Sequence, residues 1–162
     1  MPGRPYHVTQ RETNRQRVFF CPTDYKMYLS LVREQLVDSC CLMTNHVHLV
    51  VVPGRADSLA VLFRRAHGRY AQYLNTRRHR TGHLWQQRFF SCPLSERHCW
   101  VALRYVEQNP CRACLVKTPE QYQWSSAAAH LHAVGDRSGL LDMEFWERSG
   151  GSQTWLEMHS RA

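Results

Sequence analysis

Three short stretches rich in apolar and β-favouring residues predict strands. Tyr6–Gln10 forms the first, and Ser39–Met43 and His46–Val52 together predict a hairpin. Thr44 and Asn45 lie between the last two stretches and supply the residue types that such a turn favours. The first half of the chain therefore contains at least one antiparallel pair of strands.

Apolar residues at helical spacing predict two helices before residue 80. The first begins near Thr23 or Asp24. Its predicted inner positions are Tyr28, Leu31, Val32, Gln35 and Leu36. The second begins at Asp57 or Ser58, and its apolar stripe comprises Leu59, Leu62, Phe63, Ala66, Tyr70, Tyr73 and Leu74. This stripe favours a core role for its aromatic residues over a role in base stacking.

A third helix follows an extended stretch over Gly82–Pro93. Ser95 is its predicted N-cap, and it runs to about Asn109. Pro110 is expected to end it, because the residue before a proline is disfavoured in the α conformation.

The predicted order of elements is β-α-β-β-α-β-α, which indicates an α+β fold with an antiparallel sheet and flanking helices. We expect one principal domain over residues 1–126 and a C-terminal appendix over 127–162 packed on it. The appendix is less clearly patterned, with a small helix expected around Met143–Trp146.

Composition supports a folded protein that lies outside the membrane. The 162 residues are 43% hydrophobic and 11% aromatic, enough for one domain with a true core. No apolar run approaches the roughly 18 residues that suggest a membrane span, and the N-terminus lacks the apolar stretch of a signal peptide. We expect a soluble, cytoplasmic protein with no membrane partner.

Seven cysteines in a chain without an export signal indicate reduced, packed thiols. Cys111 and Cys114 form a C-x-x-C pair, but a zinc ribbon needs a second pair at suitable spacing, and the sequence has none.

The distribution of charge indicates a nucleic-acid partner. The net charge is +8, and the stretch from Arg64 to Arg104 holds nine arginines, no lysine and a single acid, Glu96. Uncompensated like charges repel one another unless a polyanion relieves them. The predicted nucleic-acid contacts are Arg64, Arg65, Arg69, Arg77, Arg78, Arg80 and Arg88.

Two histidines stand two residues apart on a predicted strand. Side chains at such positions share a face, with Cα atoms about 7 Å apart. His46 and His48 can therefore converge on one cation, although a pair hydrogen-bonded at a sheet surface remains an alternative. His130 and His132 repeat the spacing in a helix-like stretch, where such side chains point apart.

Tyr105 and Asn109 stand four apart on the third helix, which places them on one face. Asn109 can offer a carboxamide oxygen to a hard cation, and Tyr105 can present its phenol beside it. Alternatively, Tyr105 is a core residue of an amphipathic helix, and Asn109 is a helix-terminating residue before a proline.

Taken together, these signals resemble a known family. The stretches that carry the resemblance are Leu42–Val51, Gly82–Phe89 and Tyr105–Pro110, followed by Arg112-Ala113 and Trp124-Ser125-Ser126. In this order and spacing they resemble the single-tyrosine HUH transposases, in particular the REP-associated tyrosine transposases of bacterial extragenic palindromes. The resemblance spans roughly Arg4 to Ser126.

The resemblance implies roles for individual residues. His46, His48 and Asn109 would hold a divalent metal, Mg²⁺ or Mn²⁺, and Tyr105 would be the nucleophile. It also implies an HUH-type sandwich fold and a metal-dependent strand transferase that cleaves and rejoins single-stranded DNA near hairpins. The partner would be single-stranded DNA or a DNA hairpin, which the protein would meet at the nucleoid. Cys111 and Cys114 depart from the family pattern.

Three alternatives are also compatible with the sequence. The chain could be a catalytically inactive DNA-hairpin binder of the same fold. It could be a zinc hydrolase, although it lacks an H-E-x-x-H pattern. It could also be an RNA-associated α+β protein, although it lacks an aromatic RNP-type strand. The sequence leaves open whether the protein is a monomer or a homodimer.

Overall fold

The computed structural model describes residues 2–33, 37–131 and 135–160. Its elements are β1 (Tyr6–Arg11), α1 (Pro22–Val32), β2 (Val37–Leu42), β3 (His46–Val51), α2 (Ser58–Arg78), β4 (Phe90–Pro93), α3 (Glu96–Arg112), α4 (Ala127–His130), α5 (Met143–Arg148) and α6 (Gly151–Ser160). The predicted helical positions Gln35 and Leu36, and His132, lie outside the described residues. Within the described ranges, no helix combines the length and the apolar character needed to cross a membrane.

The four strands form one antiparallel sheet in the order β2-β3-β1-β4. Strand β1 lies inside the sheet, where Thr9 pairs with His48 of β3 and Arg11 pairs with His46. The predicted α+β fold with an antiparallel sheet and flanking helices is thereby confirmed.

Alternation along β3 divides its side chains between two apolar cores. Val47 and Leu49 pack in the core shared with α1 and α2, whereas Val50 packs in the core shared with α3. His46 and His48 have the same parity as Val50 and therefore lie on the α3 face. Each buried aliphatic side chain contributes about 1.5–3 kcal/mol, so a one-residue slip that moved the histidines to the other face would be costly.

Helix α1 begins at Pro22, one residue before the predicted start at Thr23. The carboxylate of Asp24 accepts hydrogen bonds from the backbone amides of Phe20 at 2.8 Å and Cys21 at 3.2 Å. These bonds satisfy amide groups at a helix start that would otherwise lack partners.

The stretch predicted as extended, Gly82–Pro93, is a regular strand only at its end, in β4. Trp85 makes one isolated bridge to Glu12, and Gln87 has a φ of 51°. A residue in this left-handed conformation turns the chain and interrupts pairing. The segment before β4 therefore bends back over α2 before joining the sheet edge.

The expectation that Pro110 ends α3 is wrong, because the helix continues to Arg112. Proline lacks the amide that would donate to the carbonyl of Val106. The side-chain amide of Asn109 lies 3.4 Å from that oxygen and donates to it, and it also donates to the carbonyl of Tyr105 at 2.9 Å. The asparagine thus supplies the donor that the proline has removed.

The C-terminal segment contacts α3 through a buried polar cluster around Glu107. This fully buried carboxylate accepts hydrogen bonds from Nε1 of Trp155 at 2.6 Å, from the hydroxyl of Ser126, and from Nδ1 of His130 at 2.5 Å. The expected helix around Met143–Trp146 is present as α5, and α6 follows it. The division of the chain at residue 126 stays a prediction.

Candidate active site

A small pocket opens on the α3 face of the sheet, where β1 and β3 approach the helix. Its volume is about 280 Å³. It is lined by His7, Thr9, Gln10, Arg11, His46, His48, Phe90 and Tyr105. The structure therefore brings together three of the four residues predicted for the reactive centre.

Each histidine of β3 has one ring nitrogen held by a neighbour. Nδ1 of His46 lies 2.6 Å from the amide oxygen of Asn45, and Nδ1 of His48 lies 3.1 Å from Nε2 of His7. The ring centres of His46 and His48 are 4.9 Å apart. Since a hydrogen bond at one nitrogen orients the ring, Nε2 of each is left for an external ligand.

Burial keeps these imidazoles neutral. Loss of hydration, together with smaller contributions from His46, His7 and Arg11, lowers the pKa of His48 to about 3. Loss of hydration and the charge of Arg11 together lower the pKa of His46 to about 4. A neutral imidazole has a free lone pair, which is the form that binds a metal.

Tyr105 extends from α3 toward the histidines. Its ring centre lies 5.7 Å from that of His48 and 5.9 Å from that of His7, both in edge-on geometry. The residue is 39% exposed, and the guanidinium carbon of Arg112 lies 4.9 Å from its ring centre. The phenol is thus reachable from solvent and flanked by imidazoles and a positive charge.

Asn109 lies one helical turn beyond Tyr105, but it does not line the pocket. Its amide nitrogen is engaged by the helix carbonyls, and its Oδ1 has no hydrogen-bond partner among the described residues. Across those residues, no group of three or more His, Cys, Asp or Glu side chains is arranged to hold a metal. The two neutral imidazoles offer nitrogen donors, and the binding of a divalent metal by them and by Asn109 stays a prediction.

The predicted DNA-contacting arginines lie elsewhere on the described surface. Arg64, Arg65 and Arg69 are exposed along α2, and Arg88 is exposed on the segment before β4. None of the seven is among the pocket-lining residues, whose arginine is Arg11. These arginines form a surface separate from the histidines.

The remaining three arginines lie at or just beyond the C-terminal end of α2 and make contacts within the protein. Arg77 donates to a tyrosine hydroxyl of the same helix at 3.1 Å. The guanidinium carbon of Arg78 lies 3.7 Å from the ring centre of Phe20. Arg80 lies 3.6 Å from the buried carboxylate of Glu12. Three of the seven arginines predicted to contact DNA thus also make contacts that stabilise the fold.

Comparison with known families identifies the chain. Residues 4–109 match the family described as transposase IS200 like. The chain belongs to the IS200-like transposase family. The matched range contains both histidines of β3, Tyr105 and Asn109, and the family resemblance in the sequence is confirmed. No curated protein sequence is similar enough to this transposase to count as a match.

Two solved structures resemble this transposase. One is a REP-associated tyrosine transposase bound to a REP hairpin, with a TM-score of 0.67, 17% identity, and coverage of 86% of this chain and 83% of that one. At this identity the likeness supports the fold. The other is a protein described as a transposase from Deinococcus radiodurans R1, with a TM-score of 0.44, 16% identity, and coverage of 64% and 88%.

The sequence did not predict five of the residues that line the pocket of this transposase: His7, Thr9, Gln10, Arg11 and Phe90. It also did not predict the position of Arg112, which lies over the Tyr105 ring outside the pocket lining. His7 and Arg11 stand on β1 at the same parity as Thr9, which pairs with His48. Pairing β1 antiparallel to β3 in the correct register would have placed them beside the histidines. That register was the missing information, because the alternation of β1 alone does not identify its neighbour.

Proposed function

We propose that this transposase cleaves and rejoins single-stranded DNA beside hairpins through a covalent 5′-phosphotyrosine at Tyr105. The observation that carries the proposal is the packing of the Tyr105 ring against His48 in one solvent-reachable pocket. Thr9 also brings a hydroxyl to the pocket, but a phenol is more acidic than an aliphatic alcohol. The oxyanion that attacks phosphorus therefore forms more readily from a phenol than from the threonine hydroxyl, and we assign the attack to Tyr105.

The donor set suits a divalent cation, Mg²⁺ or Mn²⁺, held by His46 and His48 with Asn109 as a further ligand. The two neutral imidazoles are pre-oriented by Asn45 and His7, as ligating histidines usually are. A ligand set that combines nitrogen and oxygen donors can bind either ion. When bound, the cation would polarise the scissile phosphate and stabilise the charge that develops on it.

The proposed step conserves the energy of the phosphodiester bond. The phenolic oxygen of Tyr105 attacks the phosphorus, the bond from phosphorus to the 3′ oxygen breaks, and the phenolic proton ends on that oxygen. The products are a 5′-phosphotyrosine and a free 3′-hydroxyl. Attack by another 3′-hydroxyl reverses the step and joins strands without a nucleotide cofactor.

Two arginines support this step electrostatically. Arg11 lines the pocket beside His46, and Arg112 lies over the Tyr105 ring. A guanidinium matches the geometry of a phosphate and offers several donors to its oxygens. We assign these two residues to the scissile phosphate, and the arginines exposed on α2 to the flanking DNA.

A DNA hairpin is the proposed partner. The structurally similar REP-associated transposase is bound to a REP hairpin. The exposed arginines Arg64, Arg65 and Arg69 give this chain a positive surface on which phosphates can bind. A folded-back DNA would present both a duplex stem and an unpaired flank to the protein.

Covalent capture tests the proposed function. The wild type is incubated with hairpin DNA and Mn²⁺ and resolved on a denaturing gel. We expect a protein–DNA adduct that disappears in Tyr105→Phe and persists in Tyr73→Phe, a matched loss of a hydroxyl on α2. An adduct that survives Tyr105→Phe would exclude the covalent mechanism. Hairpin binding by the wild type without any adduct would instead identify a catalytically inactive hairpin binder.

A further inference from the structure

A second and larger cavity lies on the opposite face of the sheet from the histidines. It is a groove of about 720 Å³ between α2 and the segment that leads into β4. This volume lies within the range of about 300–1,000 Å³ typical of small-molecule sites. The strand cleavage proposed for the histidine pocket makes no use of this groove.

Aromatic side chains form the floor of this groove. The half-buried side chains of Phe89 and Trp85 line the groove and rest on the buried rings of Phe63 and His67. The ring centres of Phe89 and Phe63 are 4.9 Å apart, and those of Trp85 and His67 are separated by the same distance. The polar atoms of the floor are already engaged: Nε1 of Trp85 donates to the carbonyl of His67 at 3.1 Å, and Nε2 of His67 lies 3.0 Å from the hydroxyl of Tyr28. The floor thus offers flat apolar surface held in place by internal hydrogen bonds.

Two arginines contribute positive charge to the lining of the groove. Arg64 and Arg88 both line the groove, and both are exposed. Among the described residues neither makes an ion pair with a carboxylate, and the groove lining contains no acidic side chain. An occupant with an apolar, planar part and an anionic part complements this arrangement.

The groove and the histidine pocket lie on opposite sides of the same sheet edge, which is formed by β4 and the residue before it. Successive residues of the β4 edge alternate: Phe89 and Ser91 line the groove, whereas Phe90 lines the histidine pocket. A DNA strand that crosses this edge would therefore meet both cavities within a few nucleotides.

We infer that the groove binds one unpaired nucleotide of the DNA substrate, with its base against Phe89 and Trp85 and its flanking phosphates at Arg64 and Arg88. The inference rests on the proposed function in taking DNA as the ligand. It adds a site specific for single-stranded DNA on the side of the sheet away from the chemistry. Stacking of bases on aromatic rings combined with cationic contacts is a general mode of single-strand recognition.

Gly68 provides a variant that fills the groove without removing a contact. It lies in the middle of α2 and lines the groove, and a Cβ built there meets nothing within 4 Å. A leucine side chain at this position would occupy the space of the base. Since leucine favours helix more than glycine does, Gly68→Leu is expected to fold at least as stably as the wild type.

The experiment measures binding without cleavage. A fluorescent short oligothymidylate and the matching oligothymidylate–oligoadenylate duplex are titrated with protein in EDTA. We expect Gly68→Leu to weaken single-strand binding about tenfold to a hundredfold, as loss of one stacked base would. Duplex binding should change less than about twofold. Gly68→Ala, which adds one methyl group, is the matched control and should have a smaller effect.

A salt titration tests the arginines of the groove lining. Arg64→Ala should reduce the slope of log affinity against log salt for the single strand by about 0.7, the value of one phosphate contact. Arg148→Ala removes an exposed arginine of α5 and should leave that slope unchanged.

The outcomes separate this inference from the proposed function. Unchanged single-strand affinity in Gly68→Leu, or an equal loss for strand and duplex, overturns the nucleotide site. A change of oligomeric state in Gly68→Leu overturns it in favour of contact between two copies of the chain. If Gly68→Leu weakens single-strand binding but the wild type never forms the Tyr105 adduct, the nucleotide site is supported and only the proposed strand transfer is rejected.

Discussion

Nε2 of His7 lies 3.1 Å from Nδ1 of His48, and the two rings stack at 16°. This contact links neighbouring strands of the sheet diagonally, because Thr9, and not His7, is the residue directly opposite His48. It fixes the orientation of an imidazole that also lies against Tyr105. Through His48, a residue of β1 thus influences the position of a proposed metal ligand.

Replacing His7 by phenylalanine should weaken metal binding while preserving the stacked shape. The ring at position 7 would remain, but Nδ1 of His48 would lose its partner. Loss of such a supporting hydrogen bond typically costs about 10- to 100-fold in metal affinity or activity. Mn²⁺ titration followed by paramagnetic resonance measures the affinity directly. His98→Phe, at an exposed histidine of α3, is the control, and equal affinity in both variants would contradict the role of His7.

Asn109 and Pro110 should be energetically coupled. Asn109→Ala removes the donor to the Val106 carbonyl, so the free energy of unfolding in urea should fall by about 1 kcal/mol. The double variant Asn109→Ala with Pro110→Ala restores a backbone amide at position 110, and most of this loss should be recovered.

Mn²⁺ affinity of the same two variants separates the structural role of Asn109 from its ligand role. If Asn109 is a metal ligand, affinity stays low in the double variant although stability returns. If affinity recovers together with stability, Asn109 acts only on the helix, and its assignment as a ligand fails.

Glu107 should make the stability of the protein sensitive to acid. Burial by itself raises the pKa of Glu107, but the charge of His130 and hydrogen bonds from His130, Ser126 and Trp155 outweigh it, so the pKa lies below the ordinary 4.5. The unfolded state therefore takes up a proton before the folded state does. The stabilisation is complete above about pH 4.5 and decreases as the pH falls through the lowered pKa.

Unfolding of Glu107→Gln by urea at several pH values tests this linkage. The variant should lose about 3 kcal/mol at neutral pH, because several buried donors would lose a charged acceptor. Its stability should then vary less than that of the wild type at acidic pH. Glu147→Gln, at an exposed position of α5, should follow the wild type, and parallel pH curves for all three proteins would refute the prediction.

Phe90 should contribute to DNA binding without contributing to stability. Its side chain is 65% exposed yet lines the histidine pocket. Under the proposed mechanism, its ring would stack on a base next to the scissile phosphate. Phe90→Ala should cost about 1–3 kcal/mol in single-strand binding and less than about 0.5 kcal/mol in unfolding. Phe145→Ala, a partly exposed phenylalanine of α5, should leave binding unchanged. Fluorescence anisotropy and thermal unfolding measure the two quantities.

Local patterns predicted most of the elements, because alternation and helical spacing report which side of an element is buried. They placed His46 and His48 on one face of a strand and Tyr105 on the third helix, as the structure has them. His7 was missed because its proximity to His48 depends on which strands pair and in what register. The continuation of α3 past Pro110 was missed because a side chain, Asn109, replaces a backbone donor.

The buried carboxylate of Glu107 stands two residues along α3 from Tyr105, and its partner Trp155 comes from the last helix of the chain. A chain cut after residue 126 would keep every residue that lines the histidine pocket. It would also leave an ionised group in apolar surroundings, without two of its donors, on the helix that carries the phenol. The position of Tyr105 on α3 therefore depends in part on Trp155 and His130, two residues outside the pocket that hydrogen-bond to the same helix.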